Sequence, residues 1–348
     1  MRKLIALGAW CALLLPGAEV KTAEQVYKNI TALKGTPADQ LEPAMQFIAS
    51  SLGVQCEFCH VHDKPEADDK KAKRTAREMM AMTNAINKNY FDGERHMTCY
   101  SCHHGGSTPG NMPAVLETDG PPARPETRPT AGPVVSASQI VEKYVNALGG
   151  AEAVNKVNSR VMKGTIAAFG GEIPIELWAK APNKRMSAMH MPNGDSITAF
   201  DGTSGWLKFG DRAREMSQQE SEAAGLDAEL HFAARIKEIF PQLRLGQPEK
   251  IGGVECVSVN AMRPGKPPVR LFFAKDSGLL VRETRFTETP LGRLPTQIDY
   301  ADYREVDGVK LPMQWTLARP NGRFTIQMKD IQQNVPVDDA RFIKPAGN

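Results

Sequence analysis

Two copies of the pattern Cys-x-x-Cys-His occur in the first third of the chain, at positions 56–60 and 99–103. In each copy two thiols stand three positions apart, and an imidazole directly follows the second thiol. This spacing is typical of a covalent c-type haem attachment site, because the thiols can reach the two vinyl groups of one porphyrin while the His binds the iron from below. The sequence therefore predicts two covalently bound c-type haems. Their attachment residues would be Cys56, Cys59, Cys99 and Cys102, and their proximal iron ligands would be His60 and His103.

Other uses of paired cysteines fit this pattern less well. A structural zinc site would need both pairs, and 39 residues separate Cys59 from Cys99, whereas the pairs of a zinc ribbon lie roughly 15 to 20 residues apart. Redox-active pairs and structural disulfides do not require a His after each pair. The repetition of that His favours haem.

Length and composition leave room for more than the haem region. At 348 residues the chain is long enough for two domains, since one domain takes about 150 residues. A hydrophobic content of 41%, a charged content of 24% and a net charge of +3 are ordinary for a soluble protein. They give no case for nucleic acid or a membrane surface as a partner.

The N-terminus predicts export. Two basic residues precede an apolar run over 4–15, and this pattern is typical of a secretory signal peptide, which we assign to residues 1–20. The run is shorter than the roughly 20 residues needed to cross a bilayer, and we expect no transmembrane segment in the mature chain. Cys11 would suit a lipid anchor, but bulky Trp10 precedes it where lipoprotein signals carry a small residue. We expect a periplasmic or otherwise extracytoplasmic protein.

Proline content and hydrophobic periodicity divide the rest of the chain. Residues 21–108 predict an all-α dihaem cytochrome c domain, and residues 109–136 form a Pro-rich linker that cannot bury a core. Residues 137–348 alternate apolar and polar side chains between turn signals. This alternation predicts a curved antiparallel β-sheet, a half-barrel, with a helical insert. The expected fold class is therefore α+β.

Individual elements follow from the same periodicity. Helices are predicted over 22–33, 36–52 and 72–88 in the haem region, and the charged segment 62–73 is predicted to be a solvated loop or a docking patch for an acidic partner. Ser138 is expected to cap a further helix that ends near residue 148. The predicted strands are 161–168, 173–179, 185–191, 196–200, 250–261, 269–274, 279–286, 294–306, 313–318 and 324–332, with a helical interlude at 219–240.

The sixth ligand of each iron decides whether it carries electrons or binds substrates. A thioether raises the reduction potential relative to a second imidazole and closes the iron to small molecules. Met45 and Met79 lie on the helices that precede the two motifs and are the candidates. A Met on an apolar helix stripe is also a common core residue, so spacing alone leaves packing open as the alternative.

Residues 22–108 resemble the cytochrome c subunit of bacterial photosynthetic reaction centres, in which a Met-bearing helix precedes each attachment motif. The stretch from Met45 to Cys56 is similar to one unit of that family, whose ligating Met stands eleven residues before the first Cys. The stretch 76–87 followed by 98–103 is similar to another, whose ligand is the first Met after an Ala-Arg pair. The resemblance implies Met45 for the first haem and Met79 for the second. Family subunits usually hold four haems, whereas this chain has two motifs.

Neighbouring side chains compete with these two methionines. Met80 and Met82 differ from Met79 only by a small shift of helix register. An imidazole would instead give a bis-His haem. The candidates of this kind near the motifs are His62, His96 and His104. His96 is the strongest of them, whereas His104 directly follows a proximal ligand and is not expected to reach over the same ring.

Residues 138–348 resemble in outline the periplasmic lipoprotein-carrier fold, a half-barrel of antiparallel strands closed by helices. The strand and turn series, the helical insert and the tail over 303–312 carry this resemblance. No catalytic triad or carboxylate pair stands out. Cys256, in a predicted strand, is expected to be a small buried hydrophobe.

Together these features predict an exported dihaem cytochrome rather than an enzyme. It would pass electrons between redox protein partners through two His/Met-ligated haems, with the β-rich domain as a docking module or a site for an apolar ligand. One alternative is a dihaem peroxidase-like enzyme in which one iron loses its distal ligand. Another is a lipid or lipoprotein carrier whose haem domain senses the redox state.

Overall fold

The computed structural model describes residues 20–109, 135–168, 170–319 and 322–345. The predicted signal peptide up to residue 19 and the predicted linker from 110 to 134 lie outside the described residues. Along the described chain, helices come first and a large antiparallel sheet follows. This is the α+β class expected from the sequence.

The helical part spans residues 20–109. Its helices are α1 (Ala23–Val26), α2 (Leu41–Leu52), α3 (Cys56–Cys59), α4 (Lys71–Tyr90) and α5 (Tyr100–His103), with a 3-10 turn at Ala38–Gln40 before α2. The helices predicted over 36–52 and 72–88 are present as α2 and α4. Gly53 closes α2 in the left-handed region, at φ 65°, as a helix C-terminus commonly requires.

The helix predicted over 22–33 is wrong beyond its first turn. α1 ends at Val26, and Asn29 has a left-handed backbone, at φ 58°, which a right-handed helix cannot include. The Glu24 carboxylate accepts the N–H of Gly35 at 3.0 Å, which folds the chain back. The apolar side chains of residues 27–33 therefore belong to a loop.

The C-terminal part begins with α6 (Ala137–Ala147) and α7 (Ala151–Asn155). Between its strands lie α8 (Gln218–Ala228) and α9 (Phe232–Ile239), and a 3-10 turn at Asp339–Phe342 follows the last strand. The strands are β1 (Ser159–Ala168), β2 (Gly171–Lys180), β3 (Lys184–Met189), β4 (Ser196–Phe200), β5 (Gly205–Phe209), β6 (Arg212–Glu215), β7 (Gln242–Leu245), β8 (Glu249–Ile251), β9 (Val254–Met262), β10 (Val269–Ala274), β11 (Leu280–Thr289), β12 (Gly292–Val306), β13 (Val309–Arg319) and β14 (Gly322–Gln333).

These strands form one sheet in the order β6-β5-β4-β3-β2-β1-β14-β13-β12-β11-β10-β9-β7, with β8 paired to β9. The pairing of β1 with β14 is antiparallel and joins two runs of sequential hairpins, one from each end of this part of the chain. Apolar side chains of α6, α7 and α9 pack with those of the sheet. The core of this part includes Val141, Ile236, Phe240, Leu271 and Phe273.

The sheet departs from the sequence-based expectation in a few places. The strand predicted over 250–261 is split into β8 and β9, because Gly252 and Gly253 both have positive φ and form a turn. The helical interlude predicted over 219–240 is two helices. Ser136, rather than Ser138, caps α6 by accepting the Gln139 N–H at 3.2 Å. Cys256 is buried, as expected.

A buried ion pair ties the sheet to α8. Glu283 on β11 is 1% exposed, and its carboxylate lies 2.5 Å from Nε of Arg285. Nη1 of Arg285 also lies 2.7 Å from the Asp227 carboxylate on α8. The Tyr300 hydroxyl donates to Glu283 at 3.2 Å, so this buried carboxylate has both a charge partner and a hydrogen-bond donor.

We predict that Arg285→Met lowers the free energy of unfolding by about 3–5 kcal/mol, because it leaves the Glu283 carboxylate buried without a cation. Urea unfolding followed by circular dichroism measures this loss. The double variant Glu283→Gln with Arg285→Met should lose less, since no buried charge remains. Lys156→Gln, which removes an exposed ion pair with Glu152, is the control and should unfold like the wild type.

Candidate haem centres

The first motif folds into a single helical turn. The backbone N–H of His60 donates to the carbonyl of Cys56 at 2.9 Å, so one turn separates these two residues. Cys56 and Cys59 stand three positions apart on this turn and therefore share a helix face, and His60 follows directly as the residue that ends the turn. Cys56 and Cys59 form no disulfide within the described residues, and burial raises the pKa of the Cys59 thiol.

A backbone carbonyl orients the imidazole of His60. Its Nδ1 lies 2.8 Å from the carbonyl oxygen of Pro65. A carbonyl can only accept a hydrogen bond, so the proton sits on Nδ1 and Nε2 keeps its lone pair. This is the arrangement that prepares a His to bind a metal through Nε2.

A buried lysine holds the loop that supplies this carbonyl. Nζ of Lys73 donates to the carbonyls of Pro65 and Ala67, at 2.8 Å each, and lies 3.2 Å from the Asp68 carboxylate. Hydrogen bonds from Asn29 and Arg77, together with Lys73, hold the pKa of Asp68 well below its usual range. Asp68 therefore stays charged at neutral pH and keeps the loop on α4.

Sequence reasoning missed this role of Lys73, which it assigned to a solvated loop or docking patch. In the structure Lys73 lies in α4 and is 8% exposed. Its neighbour Arg74 likewise donates to the backbone carbonyl of Asp68 at 2.5 Å. One signal was available, since Lys73 stands seven residues before Met80 and so lies on the same face of the helix.

A cavity of about 650 Å³ lies beside the first motif. The end of α1, loop 27–33, α2, the motif itself and α4 form its walls, and most of the lining side chains are apolar. Its volume lies within the range of about 300–1,000 Å³ that is usual for small-molecule and cofactor sites. The structure brings four predicted site residues together around it, namely Met45, Cys56, Cys59 and His60.

The residues around this cavity fit one c-type haem. Two thiols on one helical turn would attach to the two vinyl groups, and His60 would bind the iron through Nε2. Met45 offers a thioether in the same cavity, and a thioether is a known axial ligand in cytochromes c. The apolar walls would exclude water from the porphyrin faces.

The second motif repeats the arrangement of the first. The His103 N–H donates to the Cys99 carbonyl at 3.0 Å, and His103 Nδ1 lies 2.8 Å from the carbonyl oxygen of Gly106. Nε2 of His103 is therefore again left as the free ligand nitrogen. Cys99 and Cys102 likewise form no disulfide in the described part of the chain, and burial raises the pKa of the Cys99 thiol.

Asn87 and α2 fix the position of the second motif. The buried Asn87 side chain on α4 donates to the Met97 carbonyl and accepts the Met97 N–H, both at 2.8 Å. After the motif, the Gly105 N–H donates to the Ser51 carbonyl near the end of α2 at 2.9 Å. A Cβ on Gly53 would stand 2.0 Å from the Gly105 oxygen, so this contact requires glycine at position 53.

The methionines of α4 point to different sides. Met80 is buried, lines the first cavity and belongs to the same apolar cluster as Met45. Successive helix residues are rotated by about 100° around the helix axis, so the half-buried Met79 leaves α4 on a different side from Met80. Met82 is 47% exposed. Of these three methionines, Met80 is therefore the one that lines the first cavity. Sequence reasoning treated it only as a rival ligand for the second haem.

The rival imidazoles have other neighbours. His96 Nε2 lies 3.2 Å from the Glu94 carboxylate, and its ring contacts Phe91. His62 is largely exposed and pairs with Asp63. His104 has a left-handed backbone, and its ring stands edge-on to Tyr100.

Two further features concern metals and membranes. A zinc site would need the four thiols of the motifs to converge on one ion. Across residues 20–109, 135–168, 170–319 and 322–345, no group of three or more His, Cys, Asp or Glu side chains is arranged to hold a metal ion. In the same part of the chain, none of the helices combines the length and the apolar character needed to span a bilayer.

Residues 14–161 match the family model of the photosynthetic reaction centre cytochrome C subunit. The chain is 29% identical over 91 residues to the photosynthetic reaction center cytochrome c subunit of Thermochromatium tepidum, which covers 25% of this chain and 22% of that protein. It is 30% identical over 110 residues to the subunit of the same name from Roseobacter denitrificans, which covers 28% and 29%. The resemblance predicted from the motifs is confirmed, although the match spans less than a third of each relative's length.

Solved structures similar to this chain share little sequence with it. A LolA superfamily protein from Nitrosomonas europaea has 14% identity and a TM-score of 0.42, covering 61% of this chain and 99% of that one. A DUF1329 family protein from Desulfovibrio piger has 12% identity and a TM-score of 0.43, covering 60% and 97%.

We predict that Gly53→Ala destabilises the haem region more than Gly35→Ala does. Both glycines have positive φ, but a Cβ on Gly35 would meet nothing within 4 Å. Gly35→Ala should therefore cost only the backbone term of about 1–2 kcal/mol. Gly53→Ala adds the collision with the Gly105 carbonyl, worth about 1–3 kcal/mol more. Chemical unfolding followed at the haem absorbance measures both, and equal losses would contradict the contact.

Proposed function

We propose that this protein is an exported dihaem c-type cytochrome that carries electrons between redox partners. The observation that carries the proposal is the repeated proximal arrangement. In both motifs the His N–H donates to the carbonyl of the first Cys and closes a helical turn, and the His Nδ1 lies 2.8 Å from a backbone carbonyl. The similarity of residues 14–161 to the reaction centre cytochrome family supports it.

Each proposed site residue has a defined part. Cys56 and Cys59 would hold the first haem, and His60 and Met45 would be its axial ligands. At the second haem, Cys99 and Cys102 would be the attachment residues and His103 and Met79 the axial ligands. When bound, the haem iron supplies the one-electron redox couple, and a thioether ligand favours its reduced state relative to a second imidazole.

The proposed chain has four parts, and its proposed iron ligands favour electron transport over catalysis. We infer a signal peptide over 1–20, a haem domain over 21–108, a linker over 109–136 and a β-rich domain over 137–348. With both axial positions filled at each iron, neither centre would offer a substrate a free coordination site. The protein would act in the periplasm or another extracytoplasmic space, and a site for an apolar ligand in the β-rich domain stays a prediction.

We predict that Met45→Ala and Met79→Ala each remove about half of the weak near-infrared Met-to-iron band of the oxidised protein. Each variant should also lower the reduction potential of one haem, because its thioether ligand is lost. Spectroelectrochemical titration of the purified holoprotein measures both effects. Met82→Ala, which alters an exposed side chain on the same helix, is the matched control and should resemble the wild type.

Other outcomes of this experiment identify the alternatives. If Met80→Ala rather than Met79→Ala removes half of the band, the ligand assignment of the second haem is wrong. If neither Met45→Ala nor Met79→Ala changes the spectrum or a potential, His/Met ligation is wrong at both. Rapid turnover of hydrogen peroxide by the wild type would replace electron carriage by the peroxidase-like function.

We predict that the mature protein carries two haem masses and that the double variant Cys56→Ser with Cys59→Ser carries one. The thioether bonds are covalent, so they survive denaturation and are counted by mass spectrometry of the denatured chain. The matched variant Cys99→Ser with Cys102→Ser should also carry one haem, whereas Cys256→Ser should carry two. A wild-type chain without haem mass would overturn the proposed function.

A further inference from the structure

The hairpin of β11 and β12 has a buried tip. Its loop is only Pro290-Leu291, a position that usually faces solvent in a hairpin. Thr289 is nevertheless 2% exposed and Leu291 8% exposed, and Gly292 is also buried. Some other part of the molecule must therefore cover this tip.

The covering element is α2 of the haem region. Leu291 belongs to the apolar cluster of that region, together with Phe47, Ile48 and Met80. Met45 packs against the same cluster. The β-rich part thus contributes one side chain to the core that borders the proposed first haem site.

Glycine at position 292 is what allows α2 to come so close. A Cβ on Gly292 would stand 2.3, 2.4 and 3.0 Å from three ring atoms of Phe47. Real Cβ atoms do not approach other atoms so closely, and because Phe47 is packed in a buried cluster, its ring can give way only by displacing its neighbours. The Phe47 ring therefore lies directly against the backbone of the hairpin.

A second contact reaches the segment that leads into the second motif. Nη1 of Arg95 donates to the Thr289 carbonyl at 2.5 Å, and Nη2 lies 2.9 Å from the Glu288 carboxylate. Arg95 stands four residues before Cys99. The same hairpin tip thus contacts the structure around both motifs.

The hairpin itself is rigidly held. The Thr289 hydroxyl donates to the Gly292 carbonyl at 2.7 Å and accepts the N–H groups of Leu291 and Gly292. On the side of α8, the Gln219 side chain donates to the Glu288 carbonyl at 3.0 Å. Farther from the tip along β11, Arg285 forms an ion pair with Asp227 of α8. These bonds make the tip a fixed support rather than a mobile loop.

We propose that this hairpin is a clamp by which the β-rich part positions both haem units. Phe47, Leu291 and Gly292 would be positioning residues, which act on the proposed ligand Met45 through α2, while Arg95 fixes the approach to the second motif. The redox consequence rests on the proposed function, but the contact does not. The clamp gives the β-rich part a defined role within the chain.

The test is Gly292→Ala in the full-length holoprotein, with Gly171→Ala as the matched control. Gly171 also borders a hairpin loop, has no positive φ, and a Cβ there would meet nothing within 4 Å. Gly292→Ala should accelerate amide hydrogen exchange in α2 by about tenfold or more, because the added methyl pushes Phe47 away. It should also weaken the near-infrared band and shift the potential of the first haem. Gly171→Ala should change none of these.

A compensating variant identifies the contact. Phe47→Leu shortens the opposing side chain, so Phe47→Leu with Gly292→Ala should recover slow exchange in α2 and the band of the first haem. Wild-type exchange and potentials in Gly292→Ala would overturn the clamp, and so would a loss that Phe47→Leu does not relieve. A wild-type protein that lacks the Met-to-iron band would overturn the proposed ligation instead, while the exchange measurements would still decide on the clamp.

Discussion

The haem region depends on the close approach of two glycine backbones, where Gly105 lies against Gly53 at the end of α2. The Gly105 N–H donates to the Ser51 carbonyl at 2.9 Å, and no other residue type fits at position 53. This contact joins the helix that carries Met45 to the loop that follows His103. One helix therefore serves both proposed centres, because its side lines the first cavity while its end seats the second motif. The two motifs share a single framework rather than two independent ones.

The charged side chains beside the proposed first haem site bind one another and the protein backbone. Lys73 and Arg77 converge on Asp68, and Lys73 also binds the carbonyl that orients His60. A cation and a carboxylate close to a redox centre influence its potential, since local charge and hydrogen bonding are two of the means by which proteins tune haem iron. The basic residues after the first motif therefore have structural partners within the chain, in addition to any role in docking.

Sequence reasoning succeeded where a local pattern carries the information. The apolar stripe of α2 and the alternation of the strands are both short-range signals, and each leads to an element near the predicted place, while the haem assignment from the thiol and His spacing stays a prediction. It failed for loop 27–33, where apolar spacing resembles a helix but Asn29 turns the chain back. It also missed the buried position of Lys73, because the charged composition of residues 62–73 suggested a surface segment, whereas the fold turns the preceding loop back onto α4 so that Lys73 donates to its carbonyls.

The least predictable feature is the one that relates the two parts of the chain. In the sequence, Leu291 is an apolar residue in a tight turn, and nothing in the neighbouring strands indicates that it is buried. The cluster that buries it comes from residues 23–80. Met is flexible, with three rotatable bonds, so a Met ligand is only as well placed as the backbone that carries it. Since Phe47 follows Met45 by two residues on α2 and rests on Gly292, the sheet limits the movement of the helix that would hold the thioether over the first iron.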